Sequence, residues 1–171
     1  MKNHLPILLL SSLLILNSCG EKEEEKAKKN LDWSTRVLTH KLSDSLLSGS
    51  TYLSIYSQIY SETEHLTHDL TATVSIRNTS RTDTIYITKA DYFDTKGQYI
   101  RHYIDKTIYL NPLETTAIVI SERDKEGGTG ANFIFDWKVK NNTPEPLFEG
   151  IMISTSGSQG LSFTTQGKRI E

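Results

Sequence analysis

The chain has 171 residues and a formal net charge of −2 at pH 7, from 19 lysine and arginine residues against 21 aspartate and glutamate residues. This balance leaves no basic excess to attract nucleic acid, so nucleic-acid binding is excluded as a leading function. The single cysteine excludes an intramolecular disulfide, and the length suits one domain after a targeting segment.

Residues 1–18 are typical of a bacterial signal peptide. Lys2 supplies a positive start, and Leu5 to Leu16 is an apolar run too short to span a bilayer. The four residues from Leu16 to Cys19 resemble a bacterial lipobox, the motif at which a lipoprotein is cleaved and its cysteine acylated. We therefore expect acyl chains on Cys19 to hold the protein at the membrane. The alternative is an ordinary Sec signal with a cysteine there by chance, since Asn17 is not the best lipobox residue.

Residues 19–50 are predicted to be the lipidated cysteine, a charged tether and a lead-in segment. The run from Glu21 to Glu25 has no apolar side chain, which is typical of a solvated tether. It also resembles an acidic export signal of lipoproteins, so we expect the outer membrane, with the surface and the periplasmic face undecided. From Leu31 to Leu46 the apolar spacing predicts either a short amphipathic helix or a partly ordered segment that lays Trp33 against the domain.

Period-two alternation of apolar and polar residues predicts a β domain over residues 51–171. A phase slip near Lys89 predicts a β-bulge, and Gly97 is placed for a positive φ in the turn after Asp94. The eight predicted strands are Tyr52–Tyr60, Leu70–Arg77, Ile85–Phe93, Tyr99–Ile104, Thr115–Ser121, Phe133–Val139, Phe148–Thr155 and Leu161–Thr164.

Short strands separated by regular turn signals favour an all-β fold, a single antiparallel β-sandwich of immunoglobulin- or fibronectin-III-like architecture. Phe133, Phe135 and Trp137 alternate on one face of a strand and are predicted to form the centre of the core. Either a sugar or peptide platform or an ordinary outer sheet face is predicted for the three tyrosines of the first strand, Tyr52, Tyr56 and Tyr60.

Four segments of the domain resemble an uncharacterised family of exported bacterial proteins, domain of unknown function 3124. These are Tyr56 to Tyr60, Leu70 to Asn78, the glycine-rich run Gly127 to Phe133, and Ser158 to Phe163. The resemblance covers nearly the whole domain, and its most specific piece is the glycine-rich run. It implies no activity, and it assigns no catalytic or ligand-binding residue.

Connections of an antiparallel chain alternate between the two ends of a sandwich, so loops 61–67, 94–97, 122–131 and 156–160 are predicted to share one end. Sandwiches carry binding on such clustered loops. The candidate interaction surface at this end comprises His65, His68, Asp94, Asp124, Glu126, Asn132 and Gln159.

Within this surface, Asn132 is expected to clamp the backbone of the glycine-rich loop, which would pack closely under it. Gln159 either does the same from the neighbouring loop or faces a ligand. The other end of the sandwich, with residues 80–83, 105–112 and 140–146, is expected to hold plain turns.

The candidate residues do not form a recognised metal or catalytic motif. His65 and His68 lack the further ligands of a zinc site, and Asp124 and Glu126 lack the spacing of an EF-hand. The glycine-rich loop has no P-loop lysine, and the sequence has no nucleophile elbow. We therefore expect no metal and no cofactor.

The leading hypothesis is a binding or structural module of the cell envelope, anchored to the membrane through Cys19, with an envelope protein or a peptidoglycan or other glycan as partner. The alternative is a small envelope hydrolase or metal-dependent enzyme with its site at loops 61–67, 122–131 and 156–160. A concave site with convergent histidines and carboxylates would favour the enzyme.

Overall fold

The computed structural model describes residues 33–155 and 160–171, and this part of the chain is all-β and antiparallel. Cys19, Gln159, the predicted signal peptide and the predicted tether lie outside the described residues. A short 3₁₀ helix, Trp33–Arg36, precedes the strands. These are β1 Leu47–Ile55, β2 Gln58–Ser61, β3 Thr63–Asp69, β4 Thr71–Arg77, β5 Ile85–Phe93, β6 Tyr99–Ile104, β7 Ile108–Leu110, β8 Thr115–Ile120, β9 Ala131–Val139, β10 Leu147–Ser154, β11 Leu161–Gln166 and β12 Lys168–Arg169.

Two antiparallel sheets pack face to face. The first sheet has the order β12-β1-β9-β5-β6, with β7 also pairing with β5, and the second has the order β11-β10-β4-β8. Strands β2 and β3 form a separate hairpin. Phe135 of the first sheet stacks on Phe148 of the second, with ring centroids 4.3 Å apart. The predicted antiparallel sandwich is confirmed, and its immunoglobulin- or fibronectin-like strand order stays a prediction.

Several local predictions are also confirmed. Alternate side chains from Leu70 to Ile76 are fully buried, because period-two alternation turns them all to the core. The bulge expected near Lys89 is a register shift between Ile87 and Lys89 in the pairing of β5 with β9. Gly97 has a φ of 74°, a left-handed conformation that glycine adopts without a Cβ clash.

The predicted single strand Tyr52–Tyr60 is wrong, because Ser57 interrupts it. β1 ends before this residue and β2 begins after it. Ser57 is fully buried, its backbone N–H donates to the Gly128 oxygen at 3.2 Å, and its hydroxyl lies 3.1 Å from that of Tyr92. These bonds turn the backbone away from the β1–β9 ladder, so the chain leaves the first sheet.

The three tyrosines of that segment consequently do not share a face, and the predicted platform is wrong. Tyr52 lies on the outer face of the first sheet and is partly exposed. Tyr56 packs edge-on against Phe163, with ring centroids 5.7 Å apart. Tyr60 projects from the β2–β3 hairpin into solvent.

Of the two forms predicted for the lead-in segment, the structure confirms the one that lays Trp33 against the domain. Its helical part is limited to one 3₁₀ turn in residues 33–46, and Trp33 packs against the core. Val37 then forms a β-bridge with Ile108, which attaches the segment to β7 inside the predicted turn 105–112. Among the described residues, no helix is long and apolar enough to cross a bilayer.

At the end that was expected to hold plain turns, a buried amide joins two connections, residues 78–84 and residues 110–111. The Asn78 Nδ2 atom donates to the backbone oxygens of Asp83 at 2.8 Å, Leu110 at 3.1 Å and Asn111 at 2.9 Å. Its Oδ1 atom accepts the Ser80 N–H at 2.9 Å. Asn78 is 2% exposed, so its amide satisfies backbone groups that water cannot reach.

Trp137 is the largest fully buried side chain, and its Nε1 donates to Thr51 Oγ1 at 2.9 Å. We expect Trp137→Ala to lower the free energy of unfolding by about 3–5 kcal/mol, because it leaves a cavity and an unpaired buried hydroxyl. Denaturant titration measures this change. The control Ile170→Ala, at a residue 51% exposed, should change stability by less than about 0.5 kcal/mol. An unchanged midpoint for Trp137→Ala would place this side chain outside the core.

Candidate functional site

Three of the four predicted loops meet at one end of the sandwich in the described chain. Ile55 at the end of β1 pairs with Ala131, and Phe93 at the end of β5 pairs with Asn132. The β2–β3 hairpin, the turn after β5 and the segment before β9 therefore emerge together. We call residues 57–69, 94–98 and 121–131 the loop end. Gln159 of the fourth predicted loop lies outside the described residues.

Thr95 joins the turn after β5 to the glycine-rich segment. Its hydroxyl donates to the Gly127 oxygen at 3.0 Å and accepts the Gly130 N–H at 3.0 Å. The Gly128 oxygen also accepts the N–H groups of Ser57 at 3.2 Å and Gln58 at 3.1 Å. Both the hairpin and the turn thus hold the glycine-rich backbone in place.

Tyr92 connects this loop backbone to the hydrophobic core. Its fully buried ring stacks on Phe133 at 4.8 Å between centroids. A Cβ on Gly127 would overlap the Tyr92 hydroxyl, so the loop can pack here only with glycine. Burial raises the pKa of Tyr92 to about 12, so at neutral pH its hydroxyl stays protonated beside Ser57.

Two of the predicted carboxylates are held in ion pairs. Arg101 of β6 bonds Asp124 Oδ2 at 3.0 Å and also pairs with Glu126. Asp124 Oδ1 accepts the Glu126 N–H at 3.2 Å. Arg101 further lies over the Tyr103 ring, 5.8 Å from its centroid. Asp124 and Glu126 therefore fix the 121–130 segment against β6.

Asp94 and Asn132 are placed differently from each other. Asp94 Oδ1 accepts the N–H groups of Lys96 and Gln98, both at 2.8 Å, so it shapes the turn. Asn132 lies half-buried within β9, and its side chain makes no hydrogen bond among the described residues. The clamp that we expected from Asn132 is made by Thr95, and the close packing of the loop is on Tyr92.

The two candidate histidines do not converge on a ligand. His65 and His68 are both exposed on β3, and His65 lies in the stretch where the pairing of β3 with β2 shifts register. His65 Nε2 lies 3.4 Å from Glu64 Oε1 on the surface. No group of three or more His, Cys, Asp or Glu side chains that could hold a metal ion occurs within residues 33–155 and 160–171.

An open polar groove of about 580 Å³ lies beside the hairpin and was not predicted. Asp69 accepts Gln58 Nε2 at 2.8 Å and pairs with Lys125 at 2.7 Å. Hydrogen bonds from Lys125 first and Gln58 second lower the pKa of Asp69, so its carboxylate stays ionised. The groove is lined by Asp69, Thr71, Ser121, Glu122, Arg123 and Lys125.

Glu122 and Arg123 differ from Asp69 and Lys125, the other two charged residues that line the polar groove. Neither side chain forms an ion pair with any residue in the described part of the chain. Both line the polar groove next to the ion pair of Asp69. This groove consequently offers one free acidic and one free basic group to a bound molecule.

Sequence reasoning missed Thr95, Tyr92, Arg101 and Asp69. Arg101 carries a usable signal, because it alternates with Tyr103 on the core-facing side of β6, where a charged group needs a partner. Thr95 carries none, because nothing in its neighbouring residues indicates a contact with a loop 32 positions away.

We expect Thr95→Val to loosen the glycine-rich segment, because valine keeps the shape but removes both hydrogen bonds. The predicted loss is about 1–3 kcal/mol in unfolding free energy, together with faster hydrogen exchange at the Gly130 amide. Thr79→Val, at an exposed residue of the opposite end, should leave both measurements near wild type. Unchanged protection of the Gly130 amide in Thr95→Val would contradict the clamp.

Comparison with known proteins gives the chain's family. No curated protein matches it. A solved structure described as the crystal structure of Thermotoga maritima 1070 covers 70% of this chain and 92% of that chain at 10% identity, and its TM-score of 0.45 is too low to establish a shared fold. The family model described as protein of unknown function (DUF3124) matches residues 48–170. Because the matched region covers most of the chain, the protein belongs to the DUF3124 family, as its four sequence segments predict.

Proposed function

We propose that this protein is a lipid-anchored binding or structural module of the bacterial cell envelope, and that its loop end contacts the partner. The observation that carries the proposal is the combination of a fixed loop backbone with a free polar groove. Hydrogen bonds of Thr95 and Ser57 hold the glycine-rich backbone in place, and Ser57 in turn contacts the buried Tyr92. Because these loops are already ordered, binding would cost little conformational entropy.

The groove's chemistry favours a partner rich in hydroxyl and amide groups. Arg123, Lys125 and the hydroxyl of Ser121 offer donors, while Asp69 and Glu122 offer acceptors. The groove is open rather than enclosed, which suits an extended chain better than a small molecule. A peptidoglycan or other glycan strand fits this description, and a polar segment of an envelope protein is the second choice.

The alternative hypothesis of a hydrolase or metal-dependent enzyme gains no support from the described residues. Its candidate carboxylates Asp124 and Glu126 are engaged by Arg101. The histidines His65 and His68 are exposed on β3, and neither belongs to a group of three or more possible metal ligands among the described residues. A binding role uses the loop end as it is folded, whereas catalysis would require these ion pairs to open.

The anchor in this proposal is a set of acyl chains on Cys19, and the expected location is the outer membrane, on its surface or periplasmic face. Support comes from the sequence alone: an apolar run of signal-peptide length ends at the only cysteine. Each acyl methylene buried in a bilayer contributes about 0.8 kcal/mol, so two or three chains would hold the protein stably.

We expect Cys19→Ser to release the protein from membranes, because the variant has no thiol to acylate. Fractionation of cells that express either protein, combined with labelling by a palmitate analogue, measures the effect. Globomycin, which blocks lipoprotein signal cleavage, should cause the unprocessed wild type to accumulate. Equal membrane association and equal labelling of the two proteins would refute the anchor.

We expect Glu122→Gln/Arg123→Gln to weaken binding to purified peptidoglycan sacculi by at least about tenfold, since each charged hydrogen bond contributes roughly 1.5–3 kcal/mol. Co-sedimentation measures the binding. The matched control, Arg81→Gln/Asp105→Asn, removes one charge of each sign from exposed residues outside the loop end. Equal binding by both variants and wild type would show that the groove does not contact sacculi, and cross-linking in intact envelopes would then test a protein partner.

A further inference from the structure

A second groove, of about 430 Å³, lies between the lead-in segment and the outer face of the first sheet. The N–H of Leu38 donates to the Thr107 oxygen at 2.8 Å, which holds the segment beside the strands. Thr88, the bulged residue of β5, lies on the groove's other side. The groove is lined by Val37, Leu38, His40, Lys41, Leu42, Thr88, Lys106, Thr107 and Lys138, and we call it the basic groove.

Three lysines, Lys41, Lys106 and Lys138, line this groove. Lys106 and Lys138 form no ion pair within the described part of the chain. Lys41 has only a 3.9 Å contact with Asp44, and the two side chains are 87% and 92% exposed, so water screens the pair. No carboxylate lines the groove. In a protein of net charge −2, this is a local positive surface that calls for an anionic occupant.

We propose that the basic groove binds the phosphate groups of anionic membrane lipids and is the surface by which the folded domain rests on the bilayer. This inference rests on the envelope location proposed above. Lysines at an anionic bilayer surface attract its lipid phosphates, and the half-buried side chain of Leu42 lines the groove beside them.

The position of the groove in the chain supports this occupant. Its first lining residues, Val37 to Leu42, follow the start of the described chain at Trp33. Trp33 is 14 residues after Cys19, a distance in sequence that spans at most about 50 Å. None of the lining residues belongs to the loop end, so lipid contact leaves the polar groove free for its partner.

The test uses the chain from residue 19 onward carrying Cys19→Ser, so that no acyl chain contributes to binding. Co-flotation with vesicles of equal parts phosphatidylglycerol and phosphatidylcholine is compared with pure phosphatidylcholine vesicles. We expect binding to the anionic vesicles only, weakened by salt. Lys106→Gln/Lys138→Gln should reduce it about 30-fold, or about fivefold for each lysine.

The matched control is Lys96→Gln/Lys168→Gln, which removes the same charge from exposed residues outside the groove. Circular dichroism and the thermal midpoint verify that both variants are folded. Equal binding to neutral and anionic vesicles, or equal losses in the two double variants, would overturn the proposal. Because the test protein carries no acyl chain, neither result bears on the Cys19 anchor or on the loop-end function, which are tested by the separate experiments above.

Discussion

The contact on which the loop end depends is the packing of the Gly127 backbone against the Tyr92 hydroxyl. The Tyr92 ring is part of the core, and its hydroxyl reaches the end of the sandwich beside the buried Ser57. A side chain at residue 127 would displace that hydroxyl. Because Ser57 and Gln58 donate to Gly128, the same contact sets where β1 ends and where the hairpin begins. The packing of the core and the position of the loop end therefore depend on the same contact.

The charged residues of the domain divide into those that shape the fold and those that remain free. Asp94 shapes a turn, and Asp124 and Glu126 are paired with Arg101. The side chains of Glu122 and Arg123 in the polar groove, and of Lys106 and Lys138 in the basic groove, form no ion pair in the described chain. Most of the carboxylates that the sequence singled out were structural, and the charges best suited to binding lay beside them, because sequence position alone does not reveal which charges meet.

A feature could be predicted from the sequence when it depended on neighbouring residues, and it was missed when it depended on distant ones. The core strands β4 and β9, the bulge near Lys89 and the Gly97 turn were correct, because each depends on alternation or on one residue's backbone preference. The β2–β3 hairpin was missed, because both faces of β3 meet solvent and its residues show no alternation. The break at Ser57 and the Thr95 clamp depend on residues distant in the sequence, so no local pattern predicts them. Parity of the connections nevertheless predicted correctly that loops 61–67, 94–97 and 122–131 share one end.

The two grooves give the domain an asymmetry that a simple spacer would not need. One groove offers cations alone and lies beside the segment that leads to the predicted anchor. The other offers charges of both signs on loops held by buried hydrogen bonds. A spacer requires only solubility, and ion-paired or neutral residues would supply that equally well. The two grooves thus differ in charge and in position, as the two contacts proposed above require: phosphate groups at the basic groove and a polar polymer at the polar groove.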